Sequence, residues 1–91
     1  MDTVSVSLRR VRPFRNERRF YRLEVSLDLF GTLLLCRRWG RIGTDGQLRC
    51  DAYPDRATAA AALARHADRK RRRGYDDWAD ASQSSFANAA V

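Results

Sequence analysis

Between Arg37 and Gln47 the chain carries three glycines within seven residues, Gly40, Gly43 and Gly46, beside a tryptophan, Trp39, that sits among Arg37, Arg38 and Arg41. Glycine inside an extended run costs stability, so glycines this dense mark backbone at positive φ or a close approach by another group. A tight turn belongs here, with a strand on either side. An indole next to such backbone is either a packing anchor or an exposed stacking surface.

The flanking patterns supply the strands. Over residues 3–11, Val4, Val6 and Leu8 alternate with Ser5, Ser7 and Arg9, which reads as a half-buried strand. Pro13 and the arginines of residues 12–19, Arg19 among them, then read as a solvated connection, because proline cannot donate to a ladder. Tyr21, Leu23, Val25 and Leu27 next alternate with Arg22, Glu24, Ser26 and Asp28. A turn at Asp28–Gly31 leads into an extended segment over 32–42, giving a hairpin. In that segment Trp39 shares its parity with Arg37 and Arg41, and with Leu33 and Leu35 further back, while Leu34, Cys36 and Ile42 point the other way. A bulge at Gly40 would invert half of this pattern. Gln47 to Tyr53 alternates again and makes a further strand of the meander.

Pro54 and Asp55 open a helix, with Asp55 as N-cap or first-turn acid, and the alanine-rich run to Arg73 ends at Gly74. It should span about 18 residues, roughly 27 Å. Helical spacing puts Ala60, Leu63, Ala64 and Ala67 on the core side and Arg65, Arg69, Arg72 and Arg73 on a basic ridge. That ridge reads equally well as a solvated face favoured by the helix dipole. Tyr75 and Trp78 should fold back on the sheet, and 79–91, rich in Ala, Ser and Asn without periodicity, should be a disordered tail. The expected architecture is α+β: one antiparallel meander of about four strands against one C-terminal helix, in a single domain over 3–78.

Charge narrows the partners. The chain holds eighteen Lys and Arg against eleven Asp and Glu, and all the bases precede Gly74. Such an excess attracts polyanions. Lys70 is the only lysine, and an arginine bias of that kind also arises from a GC-rich genome. Cys36 and Cys50 read as reduced, packed thiols, with a disulfide open only if their strands are neighbours. With His66 as the lone histidine they are too few for a zinc site, so no metal and no cofactor is expected. No basic leader precedes an apolar run and no segment reaches roughly 18 apolar residues, so a cytoplasmic location, away from membranes, is expected.

The residues Phe20 to Val25, Leu29-Phe30-Gly31, Arg38 to Gln47 with its Trp39-Gly40-Arg41-Ile42-Gly43-Thr44 core, and Arg72-Arg73-Gly74-Tyr75 resemble the WGR domain family over about residues 5–76. Such domains occur in DNA-dependent poly(ADP-ribose) polymerases, in proteins similar to a bacterial molybdate metabolism regulator, and as small free-standing bacterial proteins. The resemblance implies a sheet backed by a helix. In the polymerases it also implies binding at DNA breaks, with the signature tryptophan on a terminal sugar and basic residues on phosphates. Carried over, Trp39 would stack and Arg41 would meet backbone or a partner domain. Charge adds Arg37, Arg38, Arg49 and Arg19 as expected phosphate contacts, with Gly40, Gly43 and Gly46 as structural members. The chain has no room for a transferase domain and no nucleophile partner for His66, so a non-enzymatic module is expected, binding DNA rather than RNA. The same arginines suit the carboxylates of a partner protein, which keeps a docking module as the alternative. A core role for Trp39 stands beside both.

Overall fold

The computed structural model describes residues 4–78. The expected tail, 79–91, lies outside the described residues. Strands β1 (Val4–Arg12), β2 (Glu17–Leu27), β3 (Leu33–Arg41) and β4 (Gln47–Tyr53) are followed by helix α1 (Arg56–Arg72) and a two-residue strand β5 (Asp76–Asp77). They form one antiparallel sheet in the order β4-β3-β2-β1-β5: the expected α+β meander of four strands, β1 to β4, with β5 added at the β1 edge after the helix. No helix among the described residues is long and apolar enough to cross a membrane.

The strand boundaries differ most around the first turn. Arg18 and Arg19 belong to β2, paired with Val11 and Arg10, and only Pro13–Asn16 remains as a connection. Glu17 makes this possible. Its carboxylate lies 2.8 Å from Arg10 Nη2, 3.5 Å from Arg19 Nε and 3.8 Å from Arg12 Nε, so three neighbouring guanidinium groups share one counter-charge.

The core lies on one face of the sheet. Leu8, Tyr21, Leu23, Val25 and Leu35 pack under Ala59, Ala62, Leu63 and Ala67 of the helix, with Tyr75 closing one end. The helix is therefore rotated from the expected phase: Ala59 and Ala62 are buried where Ala60 and Ala64 were expected, and the latter two are exposed. In an alanine-rich segment several stripes have nearly equal apolarity, and the phase follows from where Leu63 and the chain ends dock. Asp55 caps the N-terminus by accepting from the Thr58 N–H at 2.8 Å. At the other end, Gly74 N–H donates to Arg71 O and Tyr75 N–H to Lys70 O, a Schellman closure that turns Tyr75 into the core. Trp78 goes to the opposite face, its N–H donating to Ser7 O at 2.8 Å and its ring lying under Arg9 and Arg22.

The cysteine reading is corrected. Register places Cys36 directly opposite Cys50 across β3 and β4, Cα to Cα 4.0 Å, and the pair is a disulfide on the helix-free face. The thiols therefore give no argument for a reducing compartment.

No bulge interrupts β3, which stays in register through Phe20↔Gly40 and Arg19↔Arg41. The turn after it folds back on the strand. A Cβ on Gly40 would stand 2.7 Å from the Cα of Gly46, and one on Gly46, whose φ is +70°, would run into the Trp39 carbonyl. Two of the three signature glycines are thus close-contact positions. Gly46→Ala should cost about 2 kcal/mol or more in urea unfolding, since it combines positive φ with a backbone clash, and Gly40→Ala should also destabilise.

Candidate nucleic-acid interface

The regular parity of β3 decides where Trp39 points. It stands opposite Tyr21 on the helix-covered face, half-buried, with ring centroids 6.1 Å apart. Leu35 and Leu33 of the same row enter the core further along the strand, but Trp39 lies near the C-terminal end of α1 and keeps part of its surface open. The indole is thus neither a sealed core residue nor a projecting one.

Two clefts flank it. One, of about 260 Å³, is lined by Tyr21, Arg37, Trp39, His66, Arg69, Lys70 and Arg73. The other, of about 410 Å³, is lined by Arg19, Phe20, Trp39, Gly40, Arg41, Lys70 and Tyr75. Trp39 and Lys70 belong to both. Among the described residues no carboxylate lines either cleft.

Each wall is positioned by identifiable contacts. Arg37 lies over the Trp39 ring at 5.7 Å, donates from Nη1 to the Tyr21 hydroxyl at 3.3 Å and approaches Asp51 at 3.8 Å, while its buried Nε has no hydrogen-bond partner. Arg41 donates to the Asn16 backbone carbonyl at 3.0 Å and to Asn16 Oδ1 at 3.2 Å, which ties the first turn to the end of β3. Lys70 Nζ sits 4.7 Å from the Tyr21 ring centre and 5.4 Å from that of Tyr75. Burial, then Arg73, Arg10, Arg19 and Arg37, hold its amine below the ordinary lysine range. Burial together with Arg37, Arg69 and Arg65 likewise lowers the His66 imidazole, against an opposing pull from Asp51, so it is largely neutral at pH 7. Cations line both clefts, with Glu17 and Asp51 pairing with Arg19 and Arg37 from outside them.

Of the expected site residues, Trp39, Arg37, Arg41 and Arg19 come together, joined by Arg69 and Arg73 from the helical ridge. Arg38 is on the opposite face and donates to Asp45 O at 3.1 Å. Arg49 lies on the edge strand beyond Arg37 and pairs with Asp51 at 3.3 Å. Arg65 and Arg72 line neither cleft. Lys70, His66, Tyr21 and Tyr75 are lining residues that the sequence reading did not select. Positions 59, 62, 63, 66, 67, 70 continue one helical stripe, and this stripe, once in phase, would have picked out His66 and Lys70. Among the described residues no three His, Cys, Asp or Glu side chains gather as a metal site.

The family model of the WGR domain matches residues 4–82. The uncharacterized protein y4dW of Sinorhizobium fredii (strain NBRC 101917 / NGR234) is 38% identical over 66 residues, which is 72% of this chain and 32% of that protein. The chain thus spans about a third of the length of the curated relative it matches. No solved structure matches it.

Two measurements test this geometry. Because Trp39 is half-buried, Trp39→Ala should destabilise by about 1 to 3 kcal/mol in urea unfolding, below the range of about 3 to 5 for a sealed Trp. The Arg10 hydrogen bond, aided by the nearby charges of Arg10, Arg19 and Arg12, lowers the Glu17 carboxyl below its ordinary 4.5. Its contribution is therefore present above 4.5 and lost as pH falls through the depressed folded value. Wild type should lose stability more steeply than Glu17→Gln in acid melts over that window.

Proposed function

The chain belongs to the WGR domain family, and we propose that it is a non-catalytic DNA-binding module that takes the sugar–phosphate backbone at a strand end into the clefts on either side of Trp39. The observation that carries this reading is the composition of those clefts: Arg37, Arg69 and Arg73 on one side, Arg19 and Arg41 on the other, Lys70 and the indole between, and no lining carboxylate among the described residues. Asp51 beside Arg37 and Glu17 beside Arg19 offset part of this charge, and among the described residues Arg41, Arg69, Lys70 and Arg73 form no ion pair that would give them a counter-charge. Phosphates supply it, and release of their counterions drives association. The partly open face of Trp39 offers a flat apolar surface to a terminal sugar or base, and stacking of that kind is sequence-tolerant.

DNA in preference to RNA, and ends in preference to internal sites, are supported by the family resemblance. Docking of an acidic partner protein is the second reading. It uses the same arginines, and the greater length of the Sinorhizobium fredii relative gives it a motive, since there the matching segment lies within a larger chain.

Fluorescence anisotropy with a blunt or recessed duplex, and competition by nicked, linear and closed circular duplexes of equal length, tests the proposal. Ends should win. Four neutralised phosphates give a slope of log K on log salt of about −3.6. The double variant Arg69→Glu/Arg73→Glu should flatten that slope, and Trp39→Ala should weaken end binding by about 5- to 150-fold, the range for one lost stack. Equal affinity for circular and linear DNA would remove end recognition, and a pull-down that survives nuclease would favour the protein partner.

A further inference from the structure

Lys70 is the only lysine among eighteen Lys and Arg residues, and with Trp39 it is one of the two residues common to both clefts. Its position is held from both ends. The Lys70 carbonyl accepts from Arg73 N–H at 2.9 Å and Tyr75 N–H at 3.1 Å in the helix closure, and its Nζ rests over the rings of Tyr21 and Tyr75. Among the described residues it forms no ion pair with a carboxylate. An arginine would supply the same charge for phosphate binding. What lysine adds is an amine that can lose its proton and act as a nucleophile, which a guanidinium cannot do in a protein.

We infer that Lys70 captures an aldehyde borne on a nucleic-acid sugar, the ring-opened deoxyribose of an abasic site, as an imine. The placement argues for this class of ligand. A sugar carries a phosphate on each side, the two clefts provide arginines on each side, and Lys70 stands where they meet. An abasic nucleotide also brings no base to compete with Trp39 for space. Burial and the surrounding cations Arg73, Arg10, Arg19 and Arg37 raise the share of free amine at neutral pH. In the step, the Nζ lone pair forms a bond to C1′ of the aldehyde, and the carbonyl oxygen leaves as water with two protons, both originally on the free amine. No oxidant or reductant enters. The inference rests on the DNA-binding reading above.

The test incubates the full chain with a duplex carrying one abasic site, adds cyanoborohydride to reduce any imine to a stable secondary amine, and resolves the adduct on a denaturing gel. Anisotropy on the same samples gives the bound fraction, so yield is expressed per bound complex. The expected result is an adduct that peptide mass spectrometry maps to Lys70, falling by about tenfold or more per bound complex in Lys70→Arg, where no side-chain primary amine remains. Mapping the wild-type adduct decides the matter even if the variant does not fold. Binding without an adduct, or an adduct confined to the α-amine of Met1, overturns the inference and leaves DNA binding standing. Failure to bind either intact or abasic duplex overturns both. Equal trapping of free deoxyribose 5-phosphate at matched concentration overturns the assignment to a nucleic-acid sugar.

Discussion

The structure depends on how closely the helix can lie on the sheet. Ala59, Ala62 and Ala67 are fully buried against Leu8, Leu23 and Leu35, and side chains that small let the backbone of α1 come near the strands over its first three turns. Further along the same stripe His66 and Lys70 replace alanine. Lys70 lines both clefts beside Trp39, and His66 lines the first together with Tyr21 and Arg37. One helical face thus carries both the close packing at Ala59, Ala62 and Ala67 and the polar side chains that line the clefts. The Schellman closure at Gly74 then returns the chain under Lys70 and seals the far side with Tyr75.

Charge is the second constraint. Bases crowd the end of the molecule that carries Trp39, and their mutual repulsion opposes folding. Local acids relieve part of it: Glu17 among Arg10, Arg12 and Arg19, Asp51 beside Arg37 and Arg49, and Asp68 with Asp77 around Arg71. All of these carboxylates lie outside the two clefts. Compensation placed beside the site and not within it keeps the strands paired while leaving the clefts positive. The signature motif divides along the same line. Gly40 and Gly46 are explained by the fold, because the turn after β3 folds back onto the strand. Trp39 is not required by that turn, and its open surface faces the basic clefts.

Much of this was legible in the residues. The alternation of β1 to β4, the turns at Asp28–Gly31 and Gly43–Gly46, the Asp55 cap and the Gly74 stop all express local stereochemistry, and they stand in the structure within a residue or two. The parity of Trp39 with Arg37 and Arg41 was legible too. The start of β2 was not, because a run of arginines reads as solvated until Glu17 is seen to pair with Arg19 on its own strand and with Arg10 on β1. Helix phase was ambiguous because alanine fills several stripes equally, and that ambiguity hid His66 and Lys70. The Cys36–Cys50 disulfide depended on a register between strands that no local pattern specifies.

The sequence by itself determined the elements, their order and the sign of the charge, because periodicity, glycine and proline stereochemistry and net charge act over a few residues or over the whole chain at once. Only the tertiary structure decided which face of the sheet the helix covers, that Trp39 lies at the edge of that cover, and that Lys70 meets it between two basic clefts. Those facts are distances between residues far apart in the chain. They are set by side-chain volumes packing together in three dimensions, which a linear pattern does not contain.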